Sequence, residues 1–238
     1  MHQELPGRSP AYAAVAMQQV CRVISLGRRD YQTVWELQRQ LAAERRRGGR
    51  DDCLLLVEHN PVLTIGRAGS RKHIKVPEQV LRGLGIAVLE VDRGGDITYH
   101  GPGQAVGYPI LNLTLHGRDL HQYVRLLEQV VIQTIAVYGV DGFRIPGLTG
   151  VWTLKGKIAA IGIGVKGWIS LHGFSLNVNP DMNCFRLIHP CGLTGRPVTC
   201  LADFGVDARL SAVFAELQRQ FAAVFAVTMT EQQGGEQE

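Results

Sequence analysis

The apolar residues of this chain are grouped in short runs that are separated by glycine, proline and polar residues. Runs of this length predict β-strands, because a buried strand needs only a few consecutive or alternating apolar positions. The predicted strands are CRVISL (21–26), CLLLVEH (53–59), VLTIGR (62–67), IAVLEVDR (86–93), GVWTL (150–154), KIAAIGIGV (157–165) and WISLHGFSLNV (168–178).

Three longer segments carry apolar residues at helical spacing. They follow Asp30, Asp119 and Asp207, and the second ends near Gly139; aspartate is a common N-cap, and glycine commonly follows a helix. The order of elements predicts an α+β fold in which a mixed β-sheet is flanked by helices. We expect a single domain at 21–227, an N-terminal extension at 1–20 in which Met17 is an alternative start, and a disordered polar tail at 228–238.

The composition and charge limit the classes of partner. Of the 238 residues, 45% are hydrophobic and 19% are charged, and the net charge of +4 comes from scattered arginines. A nucleic-acid-binding protein usually concentrates its positive charge, and a membrane span needs ~20 apolar residues in succession. We therefore expect neither nucleic acid nor a membrane as a partner. The densest basic run, ERRRGGR at 44–50, is interpreted as a solvated helix C-terminus, with steering of an acidic protein as the open alternative.

The cysteine pattern argues against structural cross-links. There are five cysteines, at positions 21, 53, 184, 191 and 200, without a CxxC pair. An odd number without metal-ligand spacing favours neither a disulfide framework nor a zinc site. Free thiols in a chain that forms its own core are typical of the cytoplasm. We predict a cytoplasmic protein with no metal and no bound cofactor.

The segment VDRGGDITYHGPGQAVGYP (91–109) combines many glycines with Arg93, Tyr99 and His100. Glycine lets backbone N–H groups approach a ligand, but it is equally typical of a tight hairpin with a bulge. The charged and aromatic side chains favour the ligand interpretation. The spacing matches neither GxGxxG nor GxxxxGK[ST], so it does not favour a nucleotide phosphate.

Two other segments carry reactive side-chain types. Lys155 and Lys157 begin an apolar strand, and strict alternation places Lys157, Ala159 and Ile161 on one face. Such a lysine is usually solvated, but in a pocket it stabilises a thiolate or acts as a base. The sequence does not decide which of the two lysines does so. His172 lies mid-strand, where histidine is more often structural than catalytic.

Among the cysteines, Cys191 has the context that favours a nucleophile. Pro190 and Gly192 flank it in CFRLIHPCGLTG (184–195), which indicates a turn. The other four cysteines lie in apolar contexts that are typical of inert core residues.

Five segments together resemble the lipoyl(octanoyl) transferases, which share their fold with the biotin and lipoate protein ligases. These segments are RGGDITYHGPGQAVGYPIL, PGLTGVW, KIAAIGIGV, LHGFSLNVN and HPCGLTGRPVT, and the resemblance runs from about Cys21 to the last helix. The RGGxxTYHGPGQ block is long and therefore specific. Departures are few: VTCL stands where the family often has VTSL, which introduces Cys200.

The resemblance implies an octanoyl group taken from acyl carrier protein and passed to a lysine of lipoyl domains or of the glycine-cleavage H protein. It implies that Cys191 carries the acyl thioester and that Lys157 tunes this thiol. It further implies substrate contacts by three sets of residues: Arg93, Gly94, Gly95, Asp96, Ile97, Thr98, Tyr99 and His100; Ala160, Ile161 and Gly162; and Gly173, Phe174 and Ser175. We name Ala159, Ile161, Gly162 and Phe174 as walls for the acyl chain, and we expect a monomer.

Two alternatives stay open. An ATP-dependent lipoate or biotin ligase of the same fold needs an adenylate site. A cofactor-binding module without chemistry needs neither Lys157 nor Cys191, although both are present.

Overall fold

The computed structural model describes residues 19–49, 51–189 and 197–231. Within these residues the strands form two sheets. An eight-stranded mixed sheet has the order β11-β1-β2-β6-β10-β9-β8-β7, and a three-stranded sheet has the order β4-β3-β5. The strands are β1 (Val20–Arg29), β2 (Asp52–His59), β3 (Val62–Ile65), β4 (Ala87–Glu90), β5 (Ile97–His100), β6 (Gln104–Ile110), β7 (Phe143–Ile145), β8 (Leu148–Thr153), β9 (Gly156–Lys166), β10 (Ile169–Asn177) and β11 (Thr228–Glu231).

Four α-helices pack around the sheets in the described part of the chain. They are α1 (Tyr31–Arg46), α2 (Glu78–Gly83), α3 (Leu120–Ala136) and α4 (Leu210–Phe225). Asp119 caps α3 as the sequence predicts, because its side chain accepts the N–H groups of His121 and Gln122. Asp30 precedes α1 but accepts a hydrogen bond from Asn60 instead. The last helix begins at Leu210, three residues after the predicted Asp207.

The central strands are apolar on both faces because both faces of the large sheet are covered. Along β2, Leu54 and Leu56 point into the core that α3 and α4 cover, whereas Cys53, Leu55 and Val57 point into the core with α1. This explains the unbroken run CLLLV. A third core lies around the small sheet and α2, and it includes Tyr99 and Phe185.

The expected boundary of the C-terminal tail is wrong by four residues. Residues 228–231 form β11, which pairs in parallel with the edge of β1 from Val20 to Val23. Residues 228–231 are mostly exposed and carry no amphipathic period, so the sequence offers no local signal for this strand. The expected N-terminal extension of 1–20 is also too long by one residue, because Val20 begins β1. The remainder of the tail and residues 1–18 lie outside the described residues. In the described chain, no helix is long and apolar enough to cross a membrane.

Candidate active site

A pocket opens where β9 and β10 of the large sheet meet the glycine-rich loop before β5. The space between its walls, counted out to the open mouth, is about 460 Å³. Its lining contains most of the residues that the sequence implicated in substrate contact. The lining residues are Tyr31, Arg93, Gly95, Asp96, Ile97, Thr98, His100, Tyr108, Lys157, Ala160, Ile161, Gly162, His172, Gly173, Phe174 and Ser175.

A bulge in β9 aims Lys157 into this pocket. Val151 of β8 pairs with Ala159, but the next residue, Trp152, pairs with Lys157, so the ladder skips one residue of β9. A bulge of this kind shifts the alternation by one position. The expectation that Lys157, Ala159 and Ile161 share one face is therefore wrong at the lysine, which lines the pocket together with Ala160 and Gly162.

The remaining predicted wall residues divide between the pocket and the core. Ala159 is buried in the core under α3 and α4 and borders a smaller recess that adjoins the pocket at Lys157. Ile161, Gly162 and Phe174 line the pocket itself. The phenyl ring of Phe174 fits there because Gly107 on β6 has no side chain: a Cβ at that position would lie 2.3 Å from the ring.

The two lysines at the head of β9 have different surroundings. Lys155 is exposed, donates to the backbone carbonyl of Asp203, and lies 4.7 Å from the ring centroid of Phe204. Lys157 is half-buried, and its Nζ lies 5.6 Å from the ring centroid of Trp152. Of these two lysines, only Lys157 lines the pocket.

The backbone of Lys157 ties β9 to the segment that follows residues 190–196. Its N–H donates to the carbonyl of Pro197 at 2.9 Å, and its carbonyl accepts from the N–H of Thr199 at 3.0 Å. At the other side of that stretch, the N–H of His189 donates to the carbonyl of His73 at 2.8 Å. The ring of His73 in turn lies 2.7 Å from the carboxylate of the pocket residue Asp96. His189 and Pro197, which flank residues 190–196, are therefore both held beside the pocket by backbone hydrogen bonds.

The glycine-rich loop is held against β3 and β9. The guanidinium of Arg93 is buried and donates to the carbonyl of Thr64 at 2.7 Å and to its hydroxyl at 2.9 Å. The N–H of Gly94 donates to the carbonyl of Ile163 at 2.8 Å. Gly94 thus fixes the loop without lining the pocket.

Tyr99 also does not line the pocket. Neighbouring residues of a strand face opposite sides, so Thr98 and His100 face the pocket while Tyr99 does not. The Tyr99 ring packs edge-on against Phe185, with ring centroids 5.5 Å apart, inside the third core.

The wall opposite Lys157 consists of buried aromatic and imidazole rings whose polar atoms are paired. The hydroxyl of Tyr31 lies 3.3 Å from Nδ1 of His172, and Nε2 of His172 lies 2.7 Å from Asp92. The ring of Tyr31 stacks on that of His100 with centroids 5.8 Å apart. The hydroxyl of Tyr108 lies 2.8 Å from Nε2 of His59, whose Nδ1 lies 3.0 Å from the carbonyl of Arg29.

Burial keeps these rings neutral near pH 7. It lowers the pKa of His59 to about 4 and holds the pKa of His100 well below its ordinary value. The pKa of His172 is also lowered, because its burial outweighs the opposing hydrogen bond to Asp92. Burial raises the pKa of Tyr31 to about 12. Each shift has the same origin, since removal from water disfavours the charged form.

The cysteines divide into four that are described and one that is not. Cys21, Cys53 and Cys200 are buried and Cys184 is half-buried, and none of these four lines the pocket. Burial raises the pKa of Cys21, Cys184 and Cys200, which disfavours their thiolates. Cys191, the predicted nucleophile, lies outside the described residues.

Tyr31 and Tyr108 line the pocket but were not identified from the sequence, and His172 was interpreted as structural. Both ring nitrogens of His172 have partners, as expected of a structural histidine, and the residue also borders the pocket. Tyr31 begins a helix far from the motif blocks, so only tertiary packing brings it here. No local signal in the sequence marks it.

With this geometry in place, the class of protein follows from comparison with known families. The chain belongs to the family described as the lipoyl protein ligase A/B catalytic domain, whose model matches residues 30–222. The resemblance read from the motif blocks is thereby confirmed.

The curated relatives of the chain narrow this class. An octanoyltransferase of Solibacter usitatus is 49% identical over 209 residues, which cover 88% of this chain and 94% of that protein. An octanoyltransferase of Synechococcus elongatus is 48% identical, covering 87% of this chain and 88% of that protein. One of Geobacter sulfurreducens is 44% identical, covering 86% and 83%.

Solved structures support the fold. Ta0514, a putative lipoate protein ligase of T. acidophilum, superposes with a TM-score of 0.71 at 17% identity, covering 92% of this chain and 90% of that chain. A lipoate-protein ligase A bound with ATP has a TM-score of 0.68 at 17% identity, covering 92% of this chain and 90% of that chain. The predicted mixed α+β fold related to lipoate ligases is confirmed.

Proposed function

We propose that this chain is an octanoyltransferase. In this proposal it takes an octanoyl group from acyl carrier protein, holds it as a thioester on Cys191, and passes it to a lysine of lipoyl domains or of the glycine-cleavage H protein. Lys157 is the second catalytic residue. In this proposal the enzyme is cytoplasmic and monomeric. Size-exclusion chromatography tests the oligomeric state.

One observation carries the proposal. Lys157 lines a pocket made from the implicated loop and strands, and its backbone is hydrogen-bonded to Pro197 and Thr199, just after the stretch that contains Cys191. Cys191 is two residues from His189 and six from Pro197, and both are fixed beside the pocket. This connectivity supports a thiol close to the lysine ammonium.

The chemistry requires a charged partner for the thiol. A free thiol with a pKa of about 8.5 is mostly protonated at neutral pH, and a nearby ammonium favours the thiolate. The thiolate attacks the carrier thioester: a carbon–sulfur bond forms on Cys191, the carbon–sulfur bond to the carrier breaks, and the Lys157 ammonium gives its proton to the departing carrier thiolate, which leaves Lys157 neutral. One thioester replaces another, so this step is close to neutral in free energy.

The second step forms an amide and is downhill. The amine of the acceptor lysine attacks the Cys191 thioester, the carbon–sulfur bond breaks, and Lys157 in its neutral form accepts the proton that the amine loses. Backbone N–H groups near Cys191 or in the glycine-rich loop are the candidate donors to the oxyanion.

The pocket provides an apolar environment for the acyl chain. Ile161, Gly162 and Phe174 border it, and six buried methylenes at roughly 0.8 kcal/mol each contribute on the order of 5 kcal/mol to binding. The other implicated contacts border the same space: Arg93, Gly95, Asp96, Ile97, Thr98, His100, Ala160, Gly173 and Ser175.

Mass spectrometry of the protein after exposure to octanoyl-acyl carrier protein tests the proposal. We expect an adduct of octanoyl mass on the peptide that contains Cys191, and its loss in Cys191→Ala together with loss of transfer to a lipoyl domain. Full turnover of a folded Cys191→Ala variant would contradict the thioester. Product from ATP and free octanoate without carrier protein would favour the ligase alternative, and the absence of any adduct would favour a binding module.

A further inference from the structure

The side chain of Lys157 passes directly over the backbone of Gly150 on β8. A Cβ built at Gly150 would lie 2.5 Å from Cε of Lys157, 3.1 Å from its Nζ and 2.6 Å from the carbonyl oxygen of Ala159. Gly150 also has a φ of +122°, a conformation that side chains rarely adopt. The path of the lysine therefore requires bare backbone at this position.

A buried carboxylate on α3 holds Gly150 in place. The N–H of Gly150 donates to Oε1 of Glu128 at 3.0 Å, and Glu128 is fully buried. Its other oxygen, Oε2, accepts from Arg125 at 2.6 Å and from Arg144 at 3.0 Å. The two guanidinium groups balance the charge, and Oε1 remains to hold the backbone of Gly150.

Glu128 does not line the pocket, so substrate contact does not account for it. A buried carboxylate is costly to fold unless its charge is paired and its oxygens are hydrogen-bonded. This one meets those conditions and bonds to Gly150, whose backbone lies against the end of the Lys157 side chain. The bulge that turns Lys157 toward the pocket begins at the next residue, Val151.

We propose that Glu128 is a positioning residue for Lys157 and acts through Gly150. The carboxylate fixes the N–H of Gly150, the bare glycine leaves a slot for the lysine side chain, and the slot places the ammonium at the pocket. This inference rests on the proposed role of Lys157. It predicts that disturbing the slot changes the ionisation of Cys191 even though neither Glu128 nor Gly150 touches the substrate.

The first variant is Gly150→Ala, which fills the slot. We expect the pH midpoint for alkylation of Cys191, followed by mass spectrometry of its peptide, to rise toward that of Lys157→Ala. We also expect the acylation rate to fall by roughly 100-fold, the loss that a displacement of about 1 Å produces at a catalytic site.

The matched control is Gly139→Ala. Gly139 also has a positive φ, +75°, but a Cβ there meets nothing within 4 Å. Alanine is disfavoured by the backbone at this position too, but its Cβ does not contact the lysine, so the alkylation midpoint stays at the wild-type value. Equal midpoints for Gly150→Ala and Gly139→Ala would overturn the inference.

The second variant is Glu128→Ala, which releases the N–H of Gly150 without adding atoms to the slot. We expect the same rise in the alkylation midpoint, smaller than for Gly150→Ala, and partial restoration by Glu128→Gln, whose amide oxygen accepts the same N–H. The matched control is Asp52→Asn, which alters a buried carboxylate that binds Arg45, His116 and the N–H of Asn112. Asp52 contacts the C-terminal end of α1, whereas Tyr31 begins that helix. We therefore expect Asp52→Asn to leave the alkylation midpoint of Cys191 unchanged.

A merely structural role for Glu128 would lower the melting temperature and leave the pH midpoint of the folded protein in place, and that result would overturn the inference. Lys157→Ala separates this failure from failure of the proposed function. If its midpoint equals that of wild type, the proposed role of Lys157 is wrong. If its midpoint shifts but those of Gly150→Ala and Glu128→Ala do not, only the positioning inference is wrong.

Discussion

The two ends of the pocket differ in the side chains that form them and in how each is built. At one end lies the ammonium of Lys157, carried by a bulged strand that is bonded to Pro197 and Thr199. At the other end lie the rings of Tyr31, Tyr108 and His172, all buried and hydrogen-bonded. Gly162 and Gly173 pair across the sheet at this second end, and Gly162 is five residues from Lys157, or roughly 15 Å along the strand.

The difference shows how a site separates two tasks. A thiolate and its proton transfers need a charge at one place, whereas the end of an alkyl chain needs a surface without unpaired polar atoms. The histidines of the second end are held neutral by burial, so they add no charge to the wall. This end is called the neutral end because its rings are uncharged, and the charged groups beside them are hydrogen-bonded: Arg93, which lies against Gly162, to Thr64, and Asp92 to His172.

The largest expected effect is at the charged end. In Lys157→Met we expect octanoyl transfer to fall roughly 1,000-fold, because both thiolate stabilisation and proton acceptance are lost. Steady-state transfer to a lipoyl domain measures it. Lys155→Met is the control: that exposed side chain contacts Asp203 and Phe204, so activity changes by no more than about twofold. Similar losses in both variants would remove the distinction between the two lysines.

A smaller effect is expected on the free energy of unfolding, and its source is His59, which is hydrogen-bonded to Tyr108 of the neutral end. His59 has a pKa lowered to about 4 in the folded state, against about 6.5 when unfolded. Between these values the unfolded chain binds more protons, so stability falls as the pH drops from 6.5 toward 4. We expect the free energy of unfolding to lose about 2 kcal/mol between pH 7 and pH 5 through this group.

Urea unfolding at both pH values checks this linkage. His59→Gln removes the titrating group, so the difference between pH 7 and pH 5 shrinks by that amount, whatever the variant does to stability at pH 7. His121→Gln, at an exposed position on α3, leaves the difference intact. A pH difference of undiminished size in His59→Gln would show that this buried histidine does not contribute to it.

The smallest expected effect concerns chain length. Tyr31→Ala opens the neutral end, and we expect the ratio of decanoyl to octanoyl transfer to rise about tenfold, since a fit of one or two methylenes in an apolar pocket has an effect of this order. Tyr31→Phe keeps the ring and removes only the hydroxyl near His172, so its ratio stays at the wild-type value. If the ratio does not change in Tyr31→Ala, the end of the chain does not reach this wall.

Most of the charged end was predictable from the sequence, whereas at the neutral end the motif blocks pointed to His100, Gly162 and Gly173 but not to Tyr31 or Tyr108. The glycine-rich block and the strand from Lys157 are local motifs, and most of their implicated residues line the pocket. The bulge in β9 was not predictable, because strict alternation is the default of a strand and a register shift depends on its partner β8. Tyr31 reaches the pocket through the packing of α1 on the sheet, and β11 through pairing with a strand some 200 residues earlier.

Tyr31 is the first residue of a sixteen-residue helix. The end wall of the pocket is therefore preorganised by the folded helix, and no closing movement is needed to form it. Discrimination between acyl lengths at a wall of this kind is a difference in affinity, already present before the acyl donor arrives. In the proposed reaction we therefore expect a donor with a longer chain to be excluded at binding, so that it does not occupy the nucleophile as a slowly released intermediate.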